Sequence, residues 1–335
     1  MLFAFALALS LQAAPKLPTP ETLFTDKAPL VGMVPSLKGD QVFAQTWTTV
    51  TAIGREDGAE QWKADKIMLD GKTGPIKMEK DGAPKHLPHP MLAVSGKNLF
   101  LGSNVMMPSF QSYDIKTGDP KQSQGTADMN QRATSLVTNK KGDFVWYGIE
   151  DKGVSRQAVG DVNNWSRRST DNGGVTCMAL DKKEKIIALG GKDSSVRYVN
   201  FQSASVDKKK HHKTGMGSIT AITFGGKGKS VLVGNGKGEV QVLNTSKGKK
   251  LLTLEGPESA VRWIRAQAKD KWAVVAYANG QIRFFELKKG AKVLEIEHAE
   301  AKRGIVGLAL LDKDQTLLSA GGKTVLSWNL EGLLK

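Results

Sequence analysis

Hydrophobic and polar residues alternate along this chain in short bursts, most regularly over residues 219–254, ITAITFGGKGKSVLVGNGKGEVQVLNTSKGKKLLTL. Four runs of strand length, Ile219 to Phe224, Ser230 to Gly234, Glu239 to Asn244 and Lys250 to Leu254, are separated by turns of Gly, Lys, Asn and Ser. Runs this short, joined by connections this tight, predict consecutive antiparallel hairpins and hence one four-stranded sheet. Such a sheet cannot bury both faces alone, so the pattern should recur and its copies should stack.

It does recur. Leu243, near the end of the third run, is matched forward by Phe285 and Trp328 at steps of 42 and 43 residues, and backward by Val199, Gln157 and Tyr113 at steps of 44, 42 and 44. An earlier copy, Ile53, lies 60 residues before Tyr113. The first runs keep the same beat, with Val175, Ile219, Val261 and Ile305 spaced by 44, 42 and 44 residues. Two landmarks sharing one period give seven units, and four strands in this repeat length mark a β-propeller blade. The expected fold is therefore all-β: a seven-bladed β-propeller of four-stranded antiparallel blades. The seventh unit shows three strands, Ile305 to Leu311, Thr316 to Ala320 and Thr324 to Leu330. Its fourth is expected from Thr22 to Thr25 in ETLFTD, which would close the ring and cover an exposed sheet edge.

Around the repeats, residues 1–13 form an apolar run ending in small residues, read as a secretory signal peptide and too short for the roughly 20 residues that span a bilayer. No comparable run follows, so no transmembrane segment is expected in the mature chain. Residues 14–29 are read as lead-in and closing strand, 30–335 as the propeller, with an insertion at about 62–90 accounting for the long first step. The implied location is periplasmic or secreted; it becomes cytoplasmic if the start of the chain is mis-assigned. The third unit is the most polar, with Gln157 at the marker position, and Trp165 is expected to pack between sheets.

Several third strands end in an aromatic residue followed by Asn, Glu or Asp, as in Trp328-Asn329, Phe285-Glu286 and Tyr113-Asp114. This resembles the WD-repeat family, which also places an Asp shortly before the third strand, as Asp193 stands here before Val196, and a His before the first, as at His298. Lys237, Asn279 and Gly322 occupy the matching Asp positions, so the resemblance implies the family's structural hydrogen-bond network in few of the blades. TAIGREDGAEQW, with SYDIKTG and FFELKKG, is similar instead to the quinoprotein-type propeller repeat. Both resemblances imply the same architecture and differ in the function they imply.

Charge and candidate chemistry narrow that choice. With 48 Lys and Arg against 33 Asp and Glu the net charge is +15, spread over hairpin turns, with one dense run at Lys208 to Lys213. Such a surface attracts anionic partners, but no nucleic-acid-binding motif accompanies it, which disfavours nucleic acid. Cys177 is the only cysteine, so no intramolecular disulfide forms; it is expected to be a small buried residue on an inner strand. None of His86, His89, His211, His212 and His298 has zinc-ligand spacing, and no metal, cofactor or catalytic constellation is expected.

The expected function is a non-catalytic binding scaffold that holds a protein partner through one propeller face, where turns from every blade converge on a rigid disc. The candidate contact residues are Trp47, Met106 and Met107, in the turns between second and third strands of blades one and two. Met216 and Arg303, in the loops entering blades five and seven, join them. One alternative is a quinoprotein-like enzyme or small-ligand binder using the central channel, which requires inward polar residues with perturbed titration. The other is an electrostatic binder of anionic polymers, whose affinity would fall steeply with salt.

Overall fold

The computed structural model describes residues 17–65, 91–103, 109–125, 133–161, 163–169, 174–207 and 210–334. Seven four-stranded antiparallel sheets are arranged as the repeat requires. Their innermost strands are Gly32–Pro35, Leu92–Val94, Ala133–Thr138, Val175–Leu180, Ile219–Phe224, Val261–Ala266 and Ile305–Leu311. Each lies beside the next, and the seventh returns to the first, so the ring is closed.

The marker residues occupy one register throughout. Ile53 faces Val42, Tyr113 faces Leu99, Gln157 faces Val145, Val199 faces Ile187, Leu243 faces Val231, Phe285 faces Ala273 and Trp328 faces Leu317. All seven are buried. Alternation along each strand sends residues to both sheet faces, and each face packs against a neighbouring blade, so the core is divided among the interfaces. Phe43, Trp62, Leu99 and Tyr113 join blades one and two. Trp146, Val175, Leu189 and Phe201 join three and four, and Trp272, Phe284, Ile305 and Trp328 join six and seven. Burying each such side chain contributes roughly 1.5–3 kcal/mol.

Close packing near the axis depends on small residues at the ends of second strands. A Cβ added at Gly148, Gly190 or Gly234 would lie 2.7, 2.7 or 2.5 Å from Val175, Ile219 or Val261 of the next blade. Hydroxyls stitch the same places. Thr134 donates to the Val175 carbonyl at 2.6 Å and Thr220 to that of Val261 at 2.7 Å, while Thr176 donates to Ile219. These bonds tie the inner strand of one blade to that of the next.

Blade seven is completed by Glu21–Thr25, which pairs antiparallel with Thr324–Asn329, with Phe24 opposite Val325. An ion pair between Arg55 of blade one and Asp312 of blade seven, 2.6 Å long, spans the same junction on the surface. Three expectations need correction or limitation. Blade one's fourth strand runs from Glu60 to Asp65, so Trp62 is not insertion. Its ring is buried against blade two and its indole N–H donates to Ile115 O at 2.9 Å. The rest of the expected insertion, residues 66–90, lies outside the described residues, as does the expected signal peptide. Trp165 does not pack between sheets: it opens the outermost strand of blade three, Trp165–Arg168, and is 41% exposed. Its partner across the ladder, Gln157, is the buried residue, and its amide donates to the carbonyls of Asp161 at 2.8 Å and Ala158 at 3.3 Å. The amide nitrogen of this polar marker is thus used, while its buried Oε1 finds no partner among the described residues. Among the described residues, no helix is long and apolar enough to cross a membrane.

Candidate functional site

The strand directions place the turns between second and third strands on the same face of the ring as the loops that enter each blade. Trp47 lies at the apex of one such turn, between Gln41–Gln45 and Thr49–Gly54. Thr46 N–H donates to Thr49 O at 2.9 Å, and the two threonine hydroxyls meet at 2.7 Å, which pins the turn beneath the indole. The Trp47 ring is half-buried, and its buried indole N–H has no acceptor among the described residues. Arg303 is exposed on the same face, in the loop before Ile305 of the neighbouring blade. Met216 is withdrawn from that face. It is 7% exposed and packs with Tyr198, Ile219 and Val233, its carbonyl accepting from Asn235 Nδ2 at 3.0 Å. Gly215 and Gly217 flank it with φ of +73° and +80°, a left-handed path that lets the turn fold its one large side chain inward. Met106 and Met107 lie outside the described residues.

The groups that sequence reasoning weighed for catalysis are held in structural roles. Cys177 lies on the inner strand of blade four, 8% exposed, and burial pushes its thiol up to about 12, so no reactive thiolate forms near neutral pH. Ser195, His211 and Asp193 do come together in blade four. His211 Nε2 meets Ser195 Oγ at 2.8 Å, and that hydroxyl lies 3.0 Å from Asp193 Oδ2. The carboxylate therefore sits on the serine rather than behind the imidazole, and Ser195 is fully buried, so this is not a nucleophilic triad. Asp193 also accepts both arms of Arg197, at 3.0 and 2.5 Å. Burial opposes its ionisation, but the bonds from Arg197 and Ser195 outweigh burial and hold the carboxyl below its usual range.

A second chain of bonds latches blade seven. His298 is 1% exposed, with Nδ1 2.9 Å from Ser319 Oγ and Nε2 2.9 Å from Thr324 Oγ1. The Trp328 indole donates to the same Ser319 hydroxyl at 2.8 Å. Burial lowers the His298 pKa to about 4, so the ring is neutral at physiological pH. Among the described residues, no group of three or more His, Cys, Asp and Glu side chains could hold a metal ion; His86 and His89 lie outside them.

The central channel holds the arrangement that sequence reasoning missed. A cavity of about 390 Å³ is bounded by the inner strands of blades one to six. Most of its wall is apolar or carries only hydroxyls, with Leu92, Leu136, Met178 and Ile222 among the lining side chains. Among the described residues, the two charged ones that line it are Arg262 and Arg265, both on the inner strand of blade six, and no carboxylate lines it with them. The Arg265 guanidinium lies 4.9 Å over the Trp263 ring and donates from one nitrogen to Ile264 O at 3.0 Å. Burial pushes Arg265 down to about 10 and lowers Arg262 as well. The signal was present in the sequence: blade six reads VRWIRA where blades four, five and seven read VTCMAL, ITAITF and IVGLAL.

Compared with models of known protein families and with curated proteins, the chain matches none.

Proposed function

We propose that this propeller is a non-catalytic binding protein that holds a protein partner on the face carrying Trp47 and Arg303. The observation that carries the reading is Trp47 itself: a half-buried aromatic ring at the apex of a pinned turn on the loop-bearing face, its indole nitrogen buried without an acceptor among the described residues. Aromatic and arginine side chains of this kind supply the anchors of protein interfaces, and a rigid ring presents them with little ordering cost. The buried settings of Cys177, Ser195 and His298 support binding over catalysis. Kinship with WD-repeat propellers, where protein binding is common, is part of the same proposal and draws support from the His298, Ser319 and Trp328 chain in blade seven. A periplasmic or secreted location also belongs to the proposal, on the strength of the apolar run at residues 1–13.

The test uses residues 14–335 as bait against extract of the source organism, with low-salt and then high-salt washes, beside the same bait carrying Trp47→Ser. A protein that survives high salt on the parent and is lost from the variant supports the reading. Equal retention on both removes Trp47 and this face from consideration. Elution of everything by salt would favour the charged surface as the binding element, since exposed charge pairs are screened within about 10 Å at 0.1 M salt.

A further inference from the structure

We infer that the central channel is a binding site for a small organic anion, an aromatic or alkyl carboxylate, gripped by Arg262 and Arg265. The inference rests on the channel geometry and is independent of the face that carries Trp47.

Cations withdrawn from water are ordinarily paired, because the lost hydration must be replaced by an opposite charge or by several hydrogen bonds. Elsewhere in this molecule withdrawn guanidiniums are given partners: Arg156 donates to the Gln202 carbonyl and lies over the Phe144 ring, and two others are held by carboxylates. Arg197 is clasped by Asp193 at 2.5 Å, and Arg283 by Glu295 at 2.9 Å. Arg262 and Arg265 are not so held: among the described residues neither forms an ion pair, and no carboxylate lines the cavity they share. Arg265 uses one nitrogen on Ile264 O, which leaves most of its donors for a guest. The Trp263 ring holds the guanidinium plane in place from one side, so part of the ordering is done before anything binds.

The rest of the wall selects the kind of anion. Leu92, Leu136, Met178 and Ile222 offer apolar surface, and the cavity volume of about 390 Å³ falls among those of small-molecule sites. A strongly hydrated inorganic ion would satisfy the arginines and leave that surface without a partner. A carboxylate with an apolar body satisfies both, its two oxygens matching the guanidinium fork.

Dansylglycine, an aromatic carboxylate, and dansylamide, its neutral counterpart, provide the test by fluorescence titration of the full chain. Dansylglycine should bind at a single site, with dansylamide weaker by about tenfold or more, as expected for loss of a charge-assisted contact. Arg262→Gln and Arg265→Gln should each weaken dansylglycine by about tenfold or more, and bring the two probes closer together. Lys249→Gln with Lys250→Gln, on the exposed outer rim, should leave binding unchanged. Absence of dansylglycine binding overturns the proposal, as does equal affinity for the two probes. So does an Arg262→Gln protein that melts like the parent and binds dansylglycine equally well. If the rim lysines matter as much as the arginines, the anion is held by general charge and the channel site is refuted. Should Arg265→Gln fail to fold, Arg262→Gln and the probe ratio in the parent still decide.

Discussion

Lowering the pH from 7 to 5 should cost this propeller about 2 kcal/mol through His298 alone. The imidazole is 1% exposed and bonded on both nitrogens, and burial takes its pKa from 6.5 to about 4. The unfolded chain therefore takes up a proton near pH 6.5, whereas the folded ring stays neutral until about pH 4. Between those values protonation favours the unfolded state. The stability is fully present above pH 6.5, is lost as the pH falls toward 4, and falls no further on this account below that. At about 1.36 kcal/mol per pH unit the whole shift is worth about 3 kcal/mol, most of it already lost by pH 5. The window from 7 to 5 is the informative one, because Asp193, Asp312 and Glu295 all have lowered pKa values and begin to protonate only in more acidic solution. His212, whose pKa burial also lowers, contributes in the same window and must be subtracted. Urea unfolding followed by tryptophan fluorescence at pH 7, 6 and 5, on the parent and on His298→Gln, isolates the residue. The parent should lose about 2 kcal/mol more than the variant over this range; parallel losses in the two proteins would refute the reasoning.

Three further outcomes follow from the packing. Gly234→Ala should destabilise the ring by roughly 1–3 kcal/mol, since its Cβ would meet Val261 of the next blade at 2.5 Å; a calorimetric scan unchanged from the parent would contradict that interface. Deleting residues 14–28 removes the strand that covers Thr324–Asn329, and should lower the melting temperature and produce concentration-dependent aggregation by light scattering. Cys177 should resist iodoacetamide at pH 8 in the folded protein and react fully in urea, read by mass spectrometry, because its thiol is buried and pushed up to about 12.

The architecture was legible because it is written in a period. Seven marker residues at nearly constant spacing fall in one register and are all buried, and even Gln157, the weakest of them chemically, keeps the position, its amide nitrogen donating to nearby carbonyls. The closing strand was legible for a related reason: blade seven lacks a partner in sequence, and Glu21–Thr25 supplies one. The candidate site was far less legible. Met216 reads as an exposed turn residue until the flanking glycines turn it inward, and Trp165 reads as core until the outer strand leaves one of its faces to solvent. Arg262 and Arg265 read as charges on a half-exposed strand, because alternation along one strand does not say that six other strands meet in front of it. A ring brings together residues more than a hundred positions apart, and its channel therefore has no linear motif.

The pairing of Glu21–Thr25 with Thr324–Asn329 also fixes the order of events when the chain is made. Among the described strands, Glu21–Thr25 is made about 300 residues before its partner, so six blades can assemble while the seventh remains incomplete. Until then the inner strands of blades one and six each lack a neighbour, and their apolar flanks are open to other nascent chains. The entropy of joining ends so distant grows only with the logarithm of the separation, and each doubling of the loop adds about 0.6 kcal/mol. A preformed arc of blades shortens the effective search further, because its two ends already curve toward each other. The vulnerable interval lasts until Thr324–Asn329 is present to pair with Glu21–Thr25, and anything that delays that pairing lengthens exposure to misassembly.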